Sequence, residues 1–534
     1  LVRPDAIVAL LFVIIPLVAL ARRLSIAYPI VLVLSGLLIG FVPGLPAIPL
    51  QPDLVLLIFL PPLLYWEALS APLVAIRRNA RTVSALVVGL VVATTLVVGV
   101  VAHALIPRLP WAAAFAIGAI VSPTDAVAFA PIAARISIPP RIIAIIEAEG
   151  LLNDATALIL YTSAVAALVS GAYRPGEVVL AFAGSSIFAI ALGLTVGVLI
   201  AAVWKRVRDP DLQAATALIA PYVAYLPAHY FNISAVLSVV TASLYLNRYA
   251  VSAMTPDARQ RSNNIGKTIS FLMNATIFLL VGLQLHPALV TLSVYSRTQI
   301  FLYALAVAAT VIVVRFAWIF GMGVVSRRRT PDYARGDDWK LRVIASWAGF
   351  RGGISLAAAL ALPITIAAGV PFPRRQLIIF LVFGVIFVTL VGQGLTFPWL
   401  LRALRLSDDN REQREMRFAL SQLSSVALVR LASFEREHRL NAETLDVLKR
   451  RYSLRAQRYS VDVLPDVLSE ARIYHDASRE LLEAQRAKLD ELQRQGRIDG
   501  NVRARIQTML DLEELQLERV LVLEQSTAPA EPVA

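Results

Sequence analysis

The chain has no cysteine among its 534 residues. Disulfides, thiolate nucleophiles and cysteine-ligated metals are therefore excluded. Histidine is nearly as scarce, with five copies, too few for an all-histidine metal centre beside other roles. Neither His-Glu-x-x-His nor Gly-x-Ser-x-Gly occurs, so the metalloprotease and serine-hydrolase signatures are missing. Charged residues make up 16% of the chain, against about 25% in a soluble domain. An enzyme and a soluble domain are thus both poor readings.

What is present is apolar. Hydrophobic residues make up 57% and the mean hydropathy is +0.68. Many runs reach the ~20 residues that cross a ~30 Å hydrocarbon core. The expected spans are 5–21, 27–42, 53–69, 82–106, 112–134, 141–170, 177–204, 212–228, 232–250, 265–286, 297–325, 341–369 and 376–401. The fold class is therefore all-α and polytopic, with about 13 transmembrane helices. The first run has no signal-peptide cleavage pattern and is followed by Arg22 and Arg23, which makes it a retained span.

Residues 1–403 carry 29 Lys+Arg and 14 Asp+Glu, a balance of +15, and residues 404–534 carry 21 and 23, a balance of −2. The basic excess belongs to the membrane part, which favours the positive-inside rule over nucleic-acid binding. Arg22/Arg23, Arg77/Arg78/Arg81, Arg135/Arg141, Lys205/Arg206/Arg208, Arg259/Arg261 and Arg327/Arg328/Arg329 fall in alternate loops. The loops between them hold only Arg108, Arg174, Arg297 and Arg374/Arg375. This asymmetry predicts an N-terminus outside and a cytoplasmic C-terminus.

From 404 onward the composition turns charged. Leu482, Leu489, Leu492, Ile506, Leu510 and Leu517 recur at helical spacing, and Asn441 is placed to cap a helix. A cytoplasmic helical domain with a disordered end at Thr527-Ala-Pro-Ala-Glu-Pro is expected over 404–534.

The acids within spans are few: Glu67, Asp125, Glu147, Glu149 and Asp154, with Asp53 at an edge. Deep basic residues are fewer, Arg315 and Arg351. One acid at mid-span costs roughly 2.5–3.5 kcal/mol on insertion scales, so such residues are functional candidates. Glu147-Ala-Glu-Gly-Leu-Leu-Asn-Asp154 holds three of them in one helix. At ~100° per residue, positions seven apart share a face and positions five apart diverge. Glu147 and Asp154 therefore lie in line, and Glu149 points elsewhere. Asp154 is assigned to water and ions, and Glu149 to neutralisation within the protein, with Arg315 as its counter-charge. His103 in its apolar span reads as a packed or lumen-facing side chain, and His229 as part of a short loop.

Two spans carry weak points, Ser122-Pro-Thr-Asp125 and Gly349-Phe-Arg-Gly-Gly-Ile-Ser355. Broken helices suit a transporter whose half-helix ends face a midplane site. Asp125 would then offset positive N-termini and Arg351 negative C-termini.

Ser122-Pro-Thr-Asp-Ala-Val-Ala128, Glu147-x-Glu-x-Leu-Leu-Asn-Asp-Ala155, Arg315 and Gly349-Phe-Arg-Gly-Gly-Ile-Ser355 together resemble the NhaP-type sodium/proton antiporters, to which animal sodium/proton exchangers are related. The resemblance runs in order over roughly 5–401. It implies inverted repeats with two crossed discontinuous helices. It also implies a mobile core at about 82–170 and 297–401 and a dimerisation domain at about 5–69 and 177–286, within a transmembrane domain 1–403. It implies Asp154 as the ion- and proton-binding carboxylate with Asn153 beside it, and Thr124 and Asp125 at the broken helix, so that Na+ would sit at Asp154 and Thr124. A structural ion pair Glu149–Arg315 follows, as does Glu67 as an acid approaching the site from the third span. It further implies a homodimer in the bacterial inner membrane, electroneutral one-for-one exchange of Na+ (or Li+ or K+) for H+, and no cofactor.

One position departs from the family. Where its members often have Gly-Glu-Ser, this chain has Ala148-Glu149-Gly150. The hydroxyl that helps ligate the ion is missing, and water or a backbone carbonyl must substitute. A potassium/proton antiporter is the alternative on the same site. A cation channel is the rival of another class, and it lacks a repeated filter sequence here.

Overall fold

The computed structural model describes residues 4–42, 52–71, 73–126, 128–129, 140–170, 175–231, 233–285, 292, 296–327, 338–366, 370–404, 411–437, 441–458, 465–495, 497, 502–503, 506–507 and 509–517. Arg135, Arg174, Arg328, Arg329 and the segment from Thr527 lie outside them, as do the side chains of Asp53, Arg141 and Arg327. The described chain is helical, and its one extended pairing is an isolated bridge between Thr365 and Pro371. It divides into two units, Leu1–Ser407 and Asp408–Ala534.

The first unit contains α1 (Pro4–Arg23), α2 (Tyr28–Gly40), α3 (Pro52–Ser70), α4 (Leu73–Arg78) and α5 (Ala80–Leu105). There follow α6 (Trp111–Val121), α7 (Pro140–Ser170), α8 (Pro175–Arg206), α9 (Pro210–Tyr230), α10 (Ala235–Ala253) and α11 (Pro256–Leu283). The last four are α12 (Arg297–Arg327), α13 (Asp338–Trp347), α14 (Gly353–Leu360) and α15 (Arg375–Leu404). Within these, six helices are long and apolar enough to cross a membrane, and Tyr28–Gly40, Leu57–Ser70 and Trp111–Val121 are shorter apolar helices. Ile187, Phe188, Leu199, Ile219, Phe301 and Val313 point outward and are more than half exposed. That outer surface fits hydrocarbon rather than water.

The helix starts follow local chemistry. Asp209 accepts from the backbone N–H of Asp211 and Leu212 at 2.9 and 3.0 Å, ahead of Pro210 at the first helical position. Ser234 caps α10, and Thr255, ahead of Pro256, caps α11. These side chains satisfy amides that have no partner inside their helix. His229 belongs to the last turn of α9 instead of a loop, because Pro227 leaves the i−4 ladder open only locally and the helix continues to Tyr230.

Gln213 ties several of these ends together. It is 1% exposed. Its Nε2 donates to the Trp204 and Val207 carbonyls at 2.6 and 2.8 Å, and its Oε1 accepts from Thr255 N at 2.9 Å. One amide thus satisfies backbone groups at the end of α8, beyond it, and at the start of α11. Near the middle of α2, Gly36 meets Gly282 of α11. A Cβ on Gly282 would lie 2.6 Å from Leu37 N, so only small residues permit this backbone approach.

Two helices break. α6 stops at Val121, and helix resumes at Ala126. α13 stops at Trp347, and α14 begins at Gly353. The apolar span expected to run to 369 ends at Leu360, ahead of Pro363, whose ring disfavours helix in the preceding residue. Arg375 reaches back to the loose carbonyls there, donating to Leu362 O at 2.9 Å and Leu360 O at 2.7 Å.

The second unit contains α16 (Arg411–Arg436), α17 (Ala442–Arg458) and α18 (Pro465–Arg494). α16 packs on α17, and Asn441 caps α17 by accepting from Thr444 N at 2.9 Å. Leu482, Leu489 and Leu510 form a small core joined by Ile506 and Leu517. Leu492 is half-buried outside that cluster.

Candidate functional site

The two breaks meet. Asp125 N donates to Phe350 O at 2.9 Å, so each extended segment satisfies part of the other's backbone. Asp125 Oδ1 accepts from Ala128 N at 3.2 Å, capping the resumed helix. A Cβ on Gly352 would overlap the Asp125 carboxylate. That carboxylate therefore sits against the start of α14 as well, where a negative charge is favoured.

Arg351 serves the opposite ends. It is fully buried, and its Nε donates to Val121 O, the last residue of α6, at 2.8 Å. Its Nη1 donates to Gly349 O at 2.6 Å, just past α13. Its backbone N–H donates to Thr389 Oγ1 at 3.2 Å. Thr389 lies in a π-turn of α15, Val388–Gln393, a local widening often found beside functional sites.

α7 brings Glu149, Asn153 and Asp154 to this crossing. Arg315 of α12 grips Glu149 with both guanidinium branches: Nη1 bonds Oε1, and Nη2 bonds Oε2 at 2.9 Å. Both side chains are 2% exposed, and Arg315 also donates to Ala345 O at 2.9 and 3.1 Å. Gly349 makes room, since a Cβ there would lie 2.6 Å from Arg315 Cδ. Thr124 Oγ1 donates to Glu149 Oε1 at 3.0 Å and accepts from Asn153 Nδ2 at 2.8 Å. The buried Asn153 Oδ1 has no partner among the described residues.

Asp154 is different. It is 4% exposed, and its side chain makes no hydrogen bond or ion pair among the described residues. It faces a cavity of about 30 Å³, which it shares with Glu67, Thr124, Asp125, Gly150, Asn274 and Ser355. That is room for one or two waters. A smaller space of about 10 Å³ also touches Asp154 and Ser355, between Pro123, Tyr161 and Ile354.

Glu67, Thr124, Asp125, Glu149, Asn153, Asp154 and Arg315 thus fall into one bonded or cavity-sharing group. Glu147 is part-buried and lines neither cavity. His103 points its Nδ1 at Leu109 O, 2.7 Å away, and stacks on Trp111. Gly150 lies against the resumed helix, where a Cβ would stand 2.7 Å from Ala126 Cβ and 2.9 Å from Ala126 N. Asn274 and Ser355 carry no charge, and hydropathy and charge alone do not mark them as part of this cavity. The sequence signal for Asn274 is a lone amide between Met273 and Ala275 in an otherwise apolar run.

The sequence profile of the sodium/hydrogen exchanger transmembrane domain matches residues 7–403. An uncharacterized Na+/H+ exchanger of Mycobacterium tuberculosis is 33% identical over 521 residues, covering 96% of this chain and 95% of its own. The sodium, potassium, lithium and rubidium/H+ antiporter of Bacillus pumilus is 31% identical over 393 residues, covering 70% of this chain and 58% of its own. Among solved structures, the sodium proton antiporter MjNhaP1 of Methanocaldococcus jannaschii superposes with a TM-score of 0.61 at 20% identity, over 75% of this chain and 98% of that one. At that identity the likeness speaks for the fold. This chain belongs to the sodium/hydrogen exchanger family, as a multi-pass membrane protein that shares its fold with an NhaP antiporter.

Proposed function

We propose that the protein exchanges Na+ for H+ across the bacterial cell membrane, one for one, with Asp154 holding cation and proton in turn. The observation that carries this reading is the contrast along α7. Glu149 is neutralised by Arg315, whereas Asp154 has no such partner among the described residues and faces a polar cavity. A carboxylate in a water-poor, oxygen-lined site holds a proton or a hard monovalent cation, but not both well. Competition for one site couples the two fluxes if the chain reorients only when the site is loaded.

In this reading Asp125 and Arg351 neutralise the helix ends at the crossing. Thr124 and Asn153 hold the backbone beside Asp154, with Thr124 also within reach of the ion. Glu67 hands ions to the site from α3. The segments 82–170 and 297–401 form a core that moves against 5–69 and 177–286, and the latter hold two copies together as a homodimer. Thirteen spans built from inverted repeats place the N-terminus outside and the tail in the cytoplasm. Potassium/proton exchange at the same site is a second reading, favoured by the cation range in the name of the Bacillus relative.

The test uses everted vesicles and a pH-sensitive dye. Sodium should dequench the dye with the wild-type protein and not with Asp154→Asn, while the variant still purifies as a folded protein. Dequenching by the variant at the wild-type level would overturn the assignment. Running sodium, lithium and potassium in parallel decides between the two cation readings, and a non-saturating, proton-independent flux would point to a channel.

A further inference from the structure

A dehydrated monovalent cation needs several oxygen ligands, and Asp154 supplies only part of a shell. Gly150 contributes no side-chain oxygen. The Thr124 hydroxyl spends its proton on Glu149 and accepts from Asn153. Asp125 Oδ1 is engaged by Ala128 N. Two neutral oxygen-bearing side chains remain on the same cavity wall, Asn274 from α11 and Ser355 from α14. Both are more than nine-tenths buried, at 7% and 3% exposure. Neither side chain takes part in a hydrogen bond among the described residues. A buried amide or hydroxyl left without a partner is costly unless something fills the gap.

We infer that the Asn274 amide oxygen and the Ser355 hydroxyl are the neutral ligands that complete the cation shell at Asp154, and that they set which monovalent cation this protein prefers. The inference rests on the exchange reading above. Several features fit it. Ser355 also borders the smaller space beside Asp154, so it shares both spaces with that residue. Close packing fixes both residues: a Cβ on Gly353, two residues before Ser355, would overlap Ile277, three residues after Asn274. α14 and α11 are therefore in contact beside the cavity that Asn274 and Ser355 both line. Neutral dipoles discriminate between cations by number and spacing, whereas a carboxylate binds hard cations broadly. The two ligands come from different elements, and a shift of α14 against α11 would separate them.

The experiment measures the apparent KM for Na+, Li+ and K+, and the pH profile, in everted vesicles containing the full-length protein. Asn274→Ala and Ser355→Ala are each expected to raise the KM for Na+ about tenfold, the loss of one ligand to a charged group. Each should also change the Na+-to-K+ preference. Ser355→Thr, which keeps the oxygen, should return the Na+ KM toward the wild-type value. A merely structural residue would lower the maximal rate for all three cations alike and leave the preference unmoved, and that outcome overturns the inference. Gel filtration of each variant separates a folding defect from a ligand defect. Wild-type vesicles without any cation response would defeat the exchange reading itself. A wild-type response with unchanged KM values in both alanine variants would defeat only the assignment of these two ligands.

Discussion

The Thr124 hydroxyl donates to Glu149 Oε1 at 3.0 Å, bridging the first helix break to the carboxylate that Arg315 also holds. A chain of contacts therefore runs from Arg315 through Glu149 and Thr124 to Asn153, the residue before Asp154. The ion pair does more than neutralise two charges. It fixes the segment that carries Asp125 against the helix that carries Asp154.

Breaking that pair should be expensive. Arg315→Ala leaves Glu149 buried and unpaired, and loss of one partner of a buried pair costs about 3–5 kcal/mol. Thermal unfolding in detergent should fall sharply, with low expression. Arg315→Lys keeps the charge but loses the two-pronged geometry and should fall between. Unchanged expression and melting in Arg315→Ala would show that the pair does not hold this segment.

Gly150 and Ala126 should behave as a coupled pair. A side chain at 150 meets Ala126 inside normal contact distance, and overpacking of this kind costs about 1–3 kcal/mol. Gly150→Ser should therefore destabilise the protein in spite of the family's preference for a hydroxyl there. Adding Ala126→Gly removes the Cβ clash but not the approach to the backbone nitrogen, so the double variant should recover part of the loss. A double-mutant cycle on melting temperature checks this, and simple additivity would refute the coupling.

Arg351→Met should strand the carbonyls of Val121 and Gly349, which the guanidinium now satisfies. A buried acceptor left unpaired costs about 1–3 kcal/mol. Thr389→Val removes the partner of one backbone N–H and should cost less. The two melting curves, compared with wild type, order the effects, and a milder Arg351→Met would contradict the capping role.

In the tail, Arg486 donates to Asp511 and Glu514, both at 2.6 Å. That hydrogen bond holds the Glu514 carboxyl below its ordinary value of 4.5. A group whose folded-state pKa is depressed contributes stability above its unfolded value and loses it as pH falls through the folded one. Hydrogen-exchange protection over 480–517 should thus be present at neutral pH and decline below about 4.5 in the full-length protein. Arg486→Ala should show the lower protection at neutral pH already. Equal protection in the variant and wild type at neutral pH would count against the contact.

The sequence by itself determined the membrane class, the short roster of intramembrane charges and the separation of Glu149 from Asp154. Those follow from hydropathy, from the cost of charge in hydrocarbon and from the ~100° turn of one helix. It also located both helix breaks, because Pro123 and Gly349/Gly352/Gly353 stand where regular helix is weak. Only the tertiary structure decided which carbonyls Arg351 satisfies, that Thr124 is bonded to Glu149, and that Asn274 and Ser355 share the Asp154 cavity. Asn274 lies 120 residues from Asp154 in the chain, and an amide in an apolar helix gives no sign of what it faces. The same limit applies to Gly150. Its missing hydroxyl is visible in the sequence, but the reason a side chain does not fit is the close approach of Ala126 from another helix, a fact of packing between segments that no local pattern encodes.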